Sequence, residues 1–275
     1  MVRIIGVGDN TVDTYLHRRM RFPGGNAVNV AVHARRLGAE GAYLGSFGDD
    51  AKGRLILGAL RVENVDISRC RVVPGVPNAF AEVNLVEGER VFGNHESGAS
   101  AMLQLDKADL AYISNFDAIH TSFYSFLDNL LERMRSKGQL LSYDFSDHLN
   151  EWERISSVFP QVDVAIFSFS ARLGQTARDV IERLNPHADQ IVILTEGRLG
   201  SWVAVGEHLI HQPIIPIDAV DTMGAGDAFI AAFLVEHLSN SSLEKVMRRA
   251  AEYAAENCLQ MGAFGHGEAY QNNLT

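Results

Sequence analysis

Short apolar strands alternate with helical segments through the second half of the chain, and this alternation is the feature that most constrains the fold. A strand, a covering helix and a further strand form a unit that places neighbouring strands parallel. The pattern predicts an α/β fold with a central, mostly parallel sheet flanked by helices. The predicted strands are Ala118–His120, Leu140–Phe145, Val162–Phe167 and Gln190–Thr195, and the predicted helices are Phe126–Lys137, Trp152–Val158 and Arg172–Leu184.

Composition narrows the class of protein further. The 275 residues, 47% of them hydrophobic, suffice for one large α/β domain with a full core. The formal net charge of −10 argues against a nucleic-acid partner, because phosphate backbones are bound by basic patches. Cys70 and Cys258 form no disulfide framework and fit no metal-ligand spacing. Neither a signal peptide nor a membrane-spanning run is evident, so we expect no membrane partner and a cytoplasmic location.

A glycine-rich stretch from Asp221 to Leu234 runs into a predicted buried helix. Gly224, Ala225 and Gly226 would present free N–H groups at the N-terminus of that helix, which suits phosphate oxygens. Asp227 follows directly, and a carboxylate there would repel a phosphate unless it took a proton from an attacking hydroxyl. The alternative is a glycine-rich turn in which Asp227 only caps the helix.

Polar residues also mark two sites near the N-terminus. Asp9 and Asp13 follow the first predicted strand, Arg3–Gly8, where open α/β sheets bind ligands; ordinary turn chemistry would place them there as well. Gly24 and Gly25 precede a helix in which Asn29, one turn in, could contact hydroxyl groups. An exposed helix position is the alternative for Asn29.

Residues 71–95 have a different character. Two runs of alternating apolar and polar residues, Ala79–Leu85 and Arg90–Phe92, are joined by a turn at Glu87-Gly88-Glu89. Such a hairpin between strand–helix units predicts a flap or a sheet that pairs two subunits. An antiparallel edge of the main sheet is the alternative.

Two of these motifs together resemble the ribokinase-like, or PfkB, family of sugar kinases. They are Gly24-Gly25-Asn26-Ala27-Val28-Asn29-Val30-Ala31 and the Asp-Thr-x-Gly-Ala-Gly-Asp run from Asp221 to Asp227. The resemblance implies a single ribokinase-like domain over residues 1–275, with three layers and a small β lid from about 71–98 and the short 14–23 segment. It implies an ATP-dependent kinase that uses Mg²⁺ and phosphorylates a hydroxyl of a small ketose-like sugar.

The resemblance also implies roles for particular residues. Asp227 would be the catalytic base, and Gly224, Ala225 and Gly226 would bind the transferred phosphoryl group. Sugar contacts would come from Asp9, Asp13, Gly24, Gly25, Asn29 and Arg90, and nucleotide contacts from Thr195, Gly197, Gly200, Thr222 and Asn257.

The sequence departs from the family at one place. The family often carries Asn-x-x-Glu after a central strand, linked to magnesium and phosphate, whereas this chain has Ser168-Phe169-Ser170-Ala171. Magnesium is still expected, because nucleotide phosphates and water can supply most of its ligands. The protein groups that support it are therefore unassigned.

Further stretches resemble one branch of the family, the bacterial fructoselysine 6-kinases. They are Gly8–Asp13, Gly25–Val32, Arg90–Gly93 and Asp144–Asp147. The resemblance implies a sugar bearing an amino-acid adduct, phosphorylated at its 6-hydroxyl. The strands of the hairpin, in turn, predict a homodimer formed through the lid. Other PfkB kinases (fructokinase, ribokinase or 2-keto-3-deoxygluconate kinase type) and a non-catalytic sugar or nucleotide sensor on the same fold remain alternatives.

Overall fold

The main sheet has eight strands and confirms the predicted α/β class. The structure is a computed structural model that describes residues 1–86, 89–169 and 175–270, without the side chains of residues 85–90. The strand order is β14-β13-β12-β11-β10-β9-β1-β4, parallel except for the antiparallel strands β13 and β14. These strands are β1 (Arg3–Val7), β4 (Glu40–Leu44), β9 (Ala118–Ser122), β10 (Leu140–Asp144), β11 (Val164–Ser168), β12 (Ile191–Thr195), β13 (Ser201–Val205) and β14 (His208–Gln212).

Helices cover both faces of this sheet, which gives three layers. Successive residues of a strand point to opposite faces, so Ile4 packs in one buried cluster and Ile5 in another. The Ile4 cluster includes α1, α7 and α8, and the Ile5 cluster includes α4, α5 and α6. The helices are α1 (Asn26–Arg36), α2 (Ala51–Val62), α3 (Lys107–Ile113), α4 (Leu131–Met134), α5 (Trp152–Val158), α6 (Ala177–Leu184), α7 (Ala225–Leu238) and α8 (Leu243–Asn257).

A second, smaller sheet lies apart from the main one, so the predicted alternative of an edge of the main sheet is wrong. Its order is β15-β3-β2-β7-β8, and only the β2–β7 pair is parallel. Its strands are β2 (Thr11–Tyr15), β3 (Met20–Gly24), β7 (Phe80–Val86), β8 (Glu89–Glu96) and β15 (Glu268–Ala269).

The small sheet differs at its margins from the segments predicted to form the lid. It includes all of β2 and the late strand β15, which no local pattern indicated. Arg71 lies instead in β6 (Arg71–Val73), which pairs in parallel with β5 (Ser46–Gly48). The Arg71 side chain forms an ion pair with Asp109 of α3, which holds this strand against the main domain.

Two other local predictions differ from the structure. The sequence also predicts a strand over Ala42–Phe47, and the structure divides it between β4 and β5 at Gly45, where a Cβ would overlap the Tyr43 hydroxyl. The predicted helix Phe126–Lys137 is shorter in the structure, where a left-handed backbone at Phe126 (φ 58°) precedes a 3₁₀ turn at Asp128–Leu130 and then α4. Within the described ranges, no helix combines the length and the hydropathy needed to span a bilayer.

Candidate active site

The N-terminus of α7 carries the glycine-rich motif. Gly224 precedes the helix with φ 71°, and a Cβ there would lie 2.6 Å from the Ala263 Cβ, so this position needs glycine for both conformation and packing. A Cβ at Gly226 would have no atom within 4 Å, which leaves open space over the first turn. The Ala225 N–H donates to the Thr222 carbonyl at 3.3 Å, so one of the three predicted anion-binding groups already has a partner in the turn.

The Asp227 carboxylate is held by two asparagines from the N-terminus of α1. Asn26 Nδ2 donates to Asp227 Oδ1 at 2.7 Å, and Asn29 Nδ2 donates to Asp227 Oδ2 at 2.6 Å. The two glycine motifs, some two hundred residues apart in sequence, therefore meet at one point. Because the residue that caps α7 is Gly224, which has no side chain, the Asp227 carboxylate is not the N-cap of that helix.

Asn29 offers a further group to a ligand. Its side chain is buried, and among the described residues no donor reaches Asn29 Oδ1. A buried acceptor without a donor costs free energy. A hydroxyl group bound beside Asp227 would supply the missing donor.

Three residues beside Asp227 were given no role in the site predicted from the sequence: Asn26, His120 and Asp144. His120 on β9 makes two hydrogen bonds: its Nε2 donates to Asn26 Oδ1 at 2.7 Å and its Nδ1 accepts from Ser142 Oγ at 3.0 Å. Burial lowers the pKa of His120 to about 3, so this ring is neutral. Because Asn26 Nδ2 donates to carboxylates, Asn26 Oδ1 must accept, which assigns the proton of His120 to Nε2.

Asp144, at the end of β10, is the third of these residues. Asn26 Nδ2 donates to Asp144 Oδ2 at 2.8 Å, and the Ser146 N–H donates to Asp144 Oδ1 at 2.8 Å. Burial, and then the carboxylates of Asp227 and Asp9, raise the pKa of Asp144 to about 7. The available sequence signal was an acidic residue at the carboxyl end of a buried strand, the position where parallel sheets place ligand-binding groups.

Asp9 organises the start of α1. Its carboxylate accepts from the Asn26 N–H at 2.6 Å, the Ala27 N–H at 3.2 Å, Ser122 Oγ at 2.8 Å and Ser125 Oγ at 3.0 Å. A negative charge at a helix N-terminus is stabilising. These contacts give Asp9 a role in placing Asn26, while a direct sugar contact stays a prediction.

Asp13, Gly24 and Gly25 lie where the small sheet joins α1. Asp13 is buried on β2, and a Cβ at Gly24 would come within 2.5 Å of Asp13 Oδ2. Gly25 has φ 110°, and a Cβ there would lie 2.5 Å from the Asn10 Cα. Both glycines therefore leave room for their neighbours, and the predicted sugar contacts of this group remain predictions.

The predicted nucleotide residues lie on two elements. Thr195 ends β12, and Gly197 and Gly200 form the turn into β13, closed by a bond from the Glu196 N–H to the Gly200 carbonyl at 2.8 Å. Asn257, at the end of α8, is buried and donates to the Met223 carbonyl at 3.3 Å. Asn257 thus supports the loop that leads into α7, and nucleotide contacts of these residues, including Thr222, stay predictions.

Asp221 ties that loop to the small sheet. Its Oδ1 accepts from the Met223 N–H at 3.1 Å, and its Oδ2 accepts from Tyr15 Oη at 2.6 Å and the Gly262 N–H at 2.9 Å. Tyr15 is the last residue of β2. Its role depends on tertiary contact and had no signal in the sequence.

Two predictions, the sugar contact of Arg90 and the departure from Asn-x-x-Glu, concern residues that the structure does not fully describe. The Arg90 side chain lies outside the described residues, and so do Ser170 and Ala171 of the stretch that replaces Asn-x-x-Glu. In residues 1–86, 89–169 and 175–270, no three His, Cys, Asp or Glu side chains come together in a way that could hold a metal ion.

Comparison with known proteins agrees with this geometry. A family model described as pfkB family carbohydrate kinase matches residues 1–266. The chain belongs to this family. As a pfkB-family kinase it is 37% identical to a fructosamine kinase of Bacillus subtilis (strain 168) over 98% of this chain and 95% of the relative. It is 31% identical to the fructoselysine 6-kinase of Escherichia coli (strain K12) over 96% of this chain and 100% of the relative.

Solved structures confirm the ribokinase-like fold. The ribokinase of Arabidopsis thaliana, complexed with ribose and ATP, superposes with a TM-score of 0.80 at 23% identity, covering 97% of this chain and 96% of that one. An Escherichia coli protein assigned as ribokinase II, solved with ATP and Mg²⁺, gives a TM-score of 0.81 at 18% identity, covering 96% and 95%. At these identities the likeness concerns the fold alone.

Proposed function

We propose that this pfkB-family enzyme transfers the γ-phosphoryl group of ATP to the 6-hydroxyl of fructoselysine or a closely related fructosamine, in the cytoplasm. One observation carries the kinase assignment: Asp227 stands beside the open first turn of α7 with both carboxylate oxygens fixed by Asn26 and Asn29. A protein that only bound sugar or nucleotide would have no need of a fixed carboxylate next to an anion-binding site.

The proposed reaction uses Asp227 as the general base. The sugar O–H donates to the Asp227 carboxylate, which takes the proton as the sugar oxygen bonds to the γ-phosphorus and the bond to the β,γ-bridging oxygen breaks. The N-terminal dipole of α7 stabilises the charge on the transferred group. Mg²⁺ bound to ATP supplies neutralisation of phosphate charge. Transfer is direct, so a chiral γ-phosphate should be inverted, and net retention would contradict it.

The substrate class is supported by the two relatives and by the surface next to Asp144. Tyr124 and His148 form an aromatic pair there, with Tyr124 Oη 3.0 Å from His148 Nε2 and the His148 ring stacked on Phe123 at 3.8 Å. Burial raises the pKa of Tyr124, and the negative charges of Asp147, Asp144 and Asp9 raise it further. Aromatic faces beside carboxylates suit the ammonium groups of a lysine adduct.

The test is turnover with purified enzyme and matched substrates. We expect phosphorylation of fructoselysine with a kcat/KM at least about tenfold above that for fructose or ribose, because an ammonium held by aromatic and acidic groups contributes about 1.4 kcal/mol or more. Phosphorus–carbon coupling in the NMR spectrum of the product should place the phosphate on C6. A preference for fructose or ribose would contradict the substrate assignment, and absence of turnover with every sugar would favour a sensor.

A substitution at Tyr124 can distinguish substrate recognition by the aromatic surface from phosphoryl transfer itself. Tyr124→Ala should raise the KM for fructoselysine by about tenfold and leave kinetics with fructose unchanged, since fructose has no ammonium group. Trp202, which packs against His211 of the neighbouring strand β14, offers an aromatic control, and Trp202→Phe should alter neither KM for sugar. Equal effects of Tyr124→Ala on both sugars would contradict the proposed role of this surface.

We further propose that the small sheet closes over the sugar and that its edge strand pairs two subunits. Closure would exclude water and so limit ATP hydrolysis. The separate sheet, and the bond from Tyr15 to Asp221, support this proposal.

A further inference from the structure

Two carboxylates in the site share one amide nitrogen. Asn26 Nδ2 lies 2.8 Å from Asp144 Oδ2 and 2.7 Å from Asp227 Oδ1, so these two oxygens cannot be more than 5.5 Å apart. An amide nitrogen carries two protons, and here each carboxylate receives one. The arrangement holds two acidic groups close together.

The shared amide cannot rotate to relieve this arrangement. Asn26 Oδ1 accepts from His120 Nε2, and His120 is in turn held by Ser142, with both His120 and Ser142 fully buried. A rotated amide would set its carbonyl oxygen against the carboxylates and its NH₂ group against the Nε2–H. The chain Ser142–His120–Asn26 therefore keeps a donor pointing at Asp144 and Asp227.

The surroundings of Asp144 are acidic. Asp227 on α7 and Asp9 after β1 both raise its pKa, as does burial, while the Ser146 N–H and Asn26 lower it. Tyr124, after β9, feels the charge of Asp144 in turn. His120 on β9 is neutral, so it supplies no positive charge to offset this cluster.

We propose that Asp144 is a positioning residue that carries a proton beside Asp227 when the phosphates of ATP are bound, and that loss of this proton weakens ATP binding. The inference rests on the proposed kinase function. The Asp144 carboxyl shares Asn26 Nδ2 with the Asp227 carboxylate, which stands beside the open first turn of α7 where the phosphates are proposed to bind. A neutral Asp144 carboxyl can donate or accept a hydrogen bond beside the phosphates, whereas a charged Asp144 carboxylate would repel them.

The expected consequence is a pH-dependent affinity for ATP near neutrality. The pKa of Asp144 is raised to about 7, so its carboxyl is mainly neutral below this pH and mainly charged above it. Bound phosphates should raise that pKa further, because they disfavour another negative charge. By linkage, ATP should bind more weakly as pH rises through 7, by about tenfold for each unit of that shift.

Calorimetry of ATP binding tests this without turnover. Titrations with Mg-ATP in buffers of different ionisation enthalpy give the number of protons taken up on binding. The enzyme should take up a substantial fraction of one proton at pH 7.5, and Asp144→Asn should take up almost none. Asp189→Asn, an exposed aspartate beyond the other end of the sheet, is the matched control and should behave like the unaltered enzyme.

A second neutral variant, Asp144→Ser, covers the case in which Asp144→Asn fails to fold, and it should also abolish proton uptake. In both variants the affinity for ATP should no longer fall between pH 6 and 8. Equal proton uptake with and without Asp144 would overturn the proposal even if the enzyme phosphorylates fructoselysine. Conversely, Asp144-dependent uptake in a protein that turns over no sugar would support the proposal and refute the kinase assignment.

Discussion

Each oxygen of the Asp227 carboxylate accepts a hydrogen bond from a different asparagine of α1, and this fixes the direction in which it can take a proton. The bonds also make the carboxylate a defined acceptor for a hydroxyl bound beside Asn29 Oδ1. Mutation of Asp227 therefore separates a catalytic role from a structural one.

Asp227→Asn should lower kcat by about 10²–10⁴-fold, because the variant keeps the size of the side chain and loses the base. The melting temperature should change little, since an amide oxygen can still accept from Asn26 or Asn29 and about 1 kcal/mol of hydrogen bonding is at stake. ATP affinity should hold or rise. Glu244→Gln, in the first turn of α8, is the control for loss of a carboxylate at a helix start. Near-normal turnover of Asp227→Asn would remove the case for catalysis at this loop.

Buried neutral histidines predict a second effect, on the pH dependence of stability. Burial lowers the pKa of both His33 and His120 to about 3 from 6.5. Below pH 6.5 the unfolded chain binds protons that the folded chain does not, so each histidine reduces stability by about 1.4 kcal/mol per pH unit down to about pH 3. Asp144 acts oppositely, because its raised pKa makes the folded state bind the extra proton between pH 7 and 3.8.

Urea unfolding at pH 6 and pH 5 measures the balance. These three groups together predict a loss of about 1.4 kcal/mol over this unit, since one histidine is offset by Asp144. His33→Gln should remove most of that loss, and Asp144→Asn should roughly double it. A slope unchanged by His33→Gln would contradict the assignment of His33 as a buried neutral base.

The sequence predicted these residues unevenly, for a physical reason. Asp227 and Asn29 lie in glycine-rich starts of helices, which have a local signature. Asn26, His120 and Asp144 act through one another, and they come together only because β9 and β10 are neighbours in the sheet. No spacing along the chain contains that information.

At the scale of elements, the start of α1 is held by backbone packing as well as by side chains. Gly25 has a backbone conformation that residues with a Cβ rarely adopt, and it lies against Asn10. The helix carries both asparagines that bind Asp227. A shift of its first turn would therefore move the proposed base.

Gly25→Ala should destabilise the protein by more than about 1 kcal/mol and lower kcat/KM at the same time, because strain at this φ and the clash with Asn10 act together. Gly58→Ala on α2 is the matched control: a Cβ there meets nothing within 4 Å, so it should stabilise the helix by about 0.5–1 kcal/mol with unchanged kinetics. Equal stability of Gly25→Ala and the unaltered enzyme would mean that the backbone at this turn adapts freely.

Elements with strong periodicity were predicted well, and those decided by tertiary contact were not. The predicted helix Trp152–Val158 has the same bounds as α5. The segment 126–137 was predicted as helical throughout, whereas the structure has a 3₁₀ turn at Asp128–Leu130 followed by α4, and Asp128 accepts hydrogen bonds from Tyr143 and Arg154. Such side-chain bonds to distant strands and helices override local helix propensity.

Across the whole molecule, the small sheet and the main domain meet at the candidate site. β2 and β3 lead directly into α1, and β7 pairs with β2, so movement of the small sheet would act on Asp13 and Gly24. Sugar bound between the two bodies should slow hydrogen exchange in β2 and β7 by several-fold or more, whereas exchange in β13 should be unchanged. Exchange that sugar leaves unaltered throughout the small sheet would rule out a lid gated by substrate.

The exposed edge of the small sheet gives a prediction for assembly. β8 is the edge strand, and Val91 and Phe92 are 45% and 59% exposed. An edge strand leaves backbone N–H and C=O groups unpaired, and two exposed apolar side chains beside them favour pairing with a second copy. We expect a dimer by sedimentation velocity, and Phe92→Glu should shift it to monomer with its circular dichroism unchanged. Phe126→Glu changes an aromatic residue of similar exposure on the main domain and should leave the dimer intact. A monomeric unaltered enzyme would contradict this prediction.

The bond from Tyr15 to Asp221 has a consequence for how the two substrates affect each other. One carboxylate joins the strand proposed to lie beside the sugar to the loop proposed to lie beside the phosphates, so we expect that binding of either ligand orders part of the other ligand's site. Such coupling is reciprocal by thermodynamic necessity: the factor by which sugar tightens ATP equals the factor by which ATP tightens sugar. Tyr15→Phe should reduce both factors together, so that the variant binds sugar and ATP but the affinity for each no longer depends on the other.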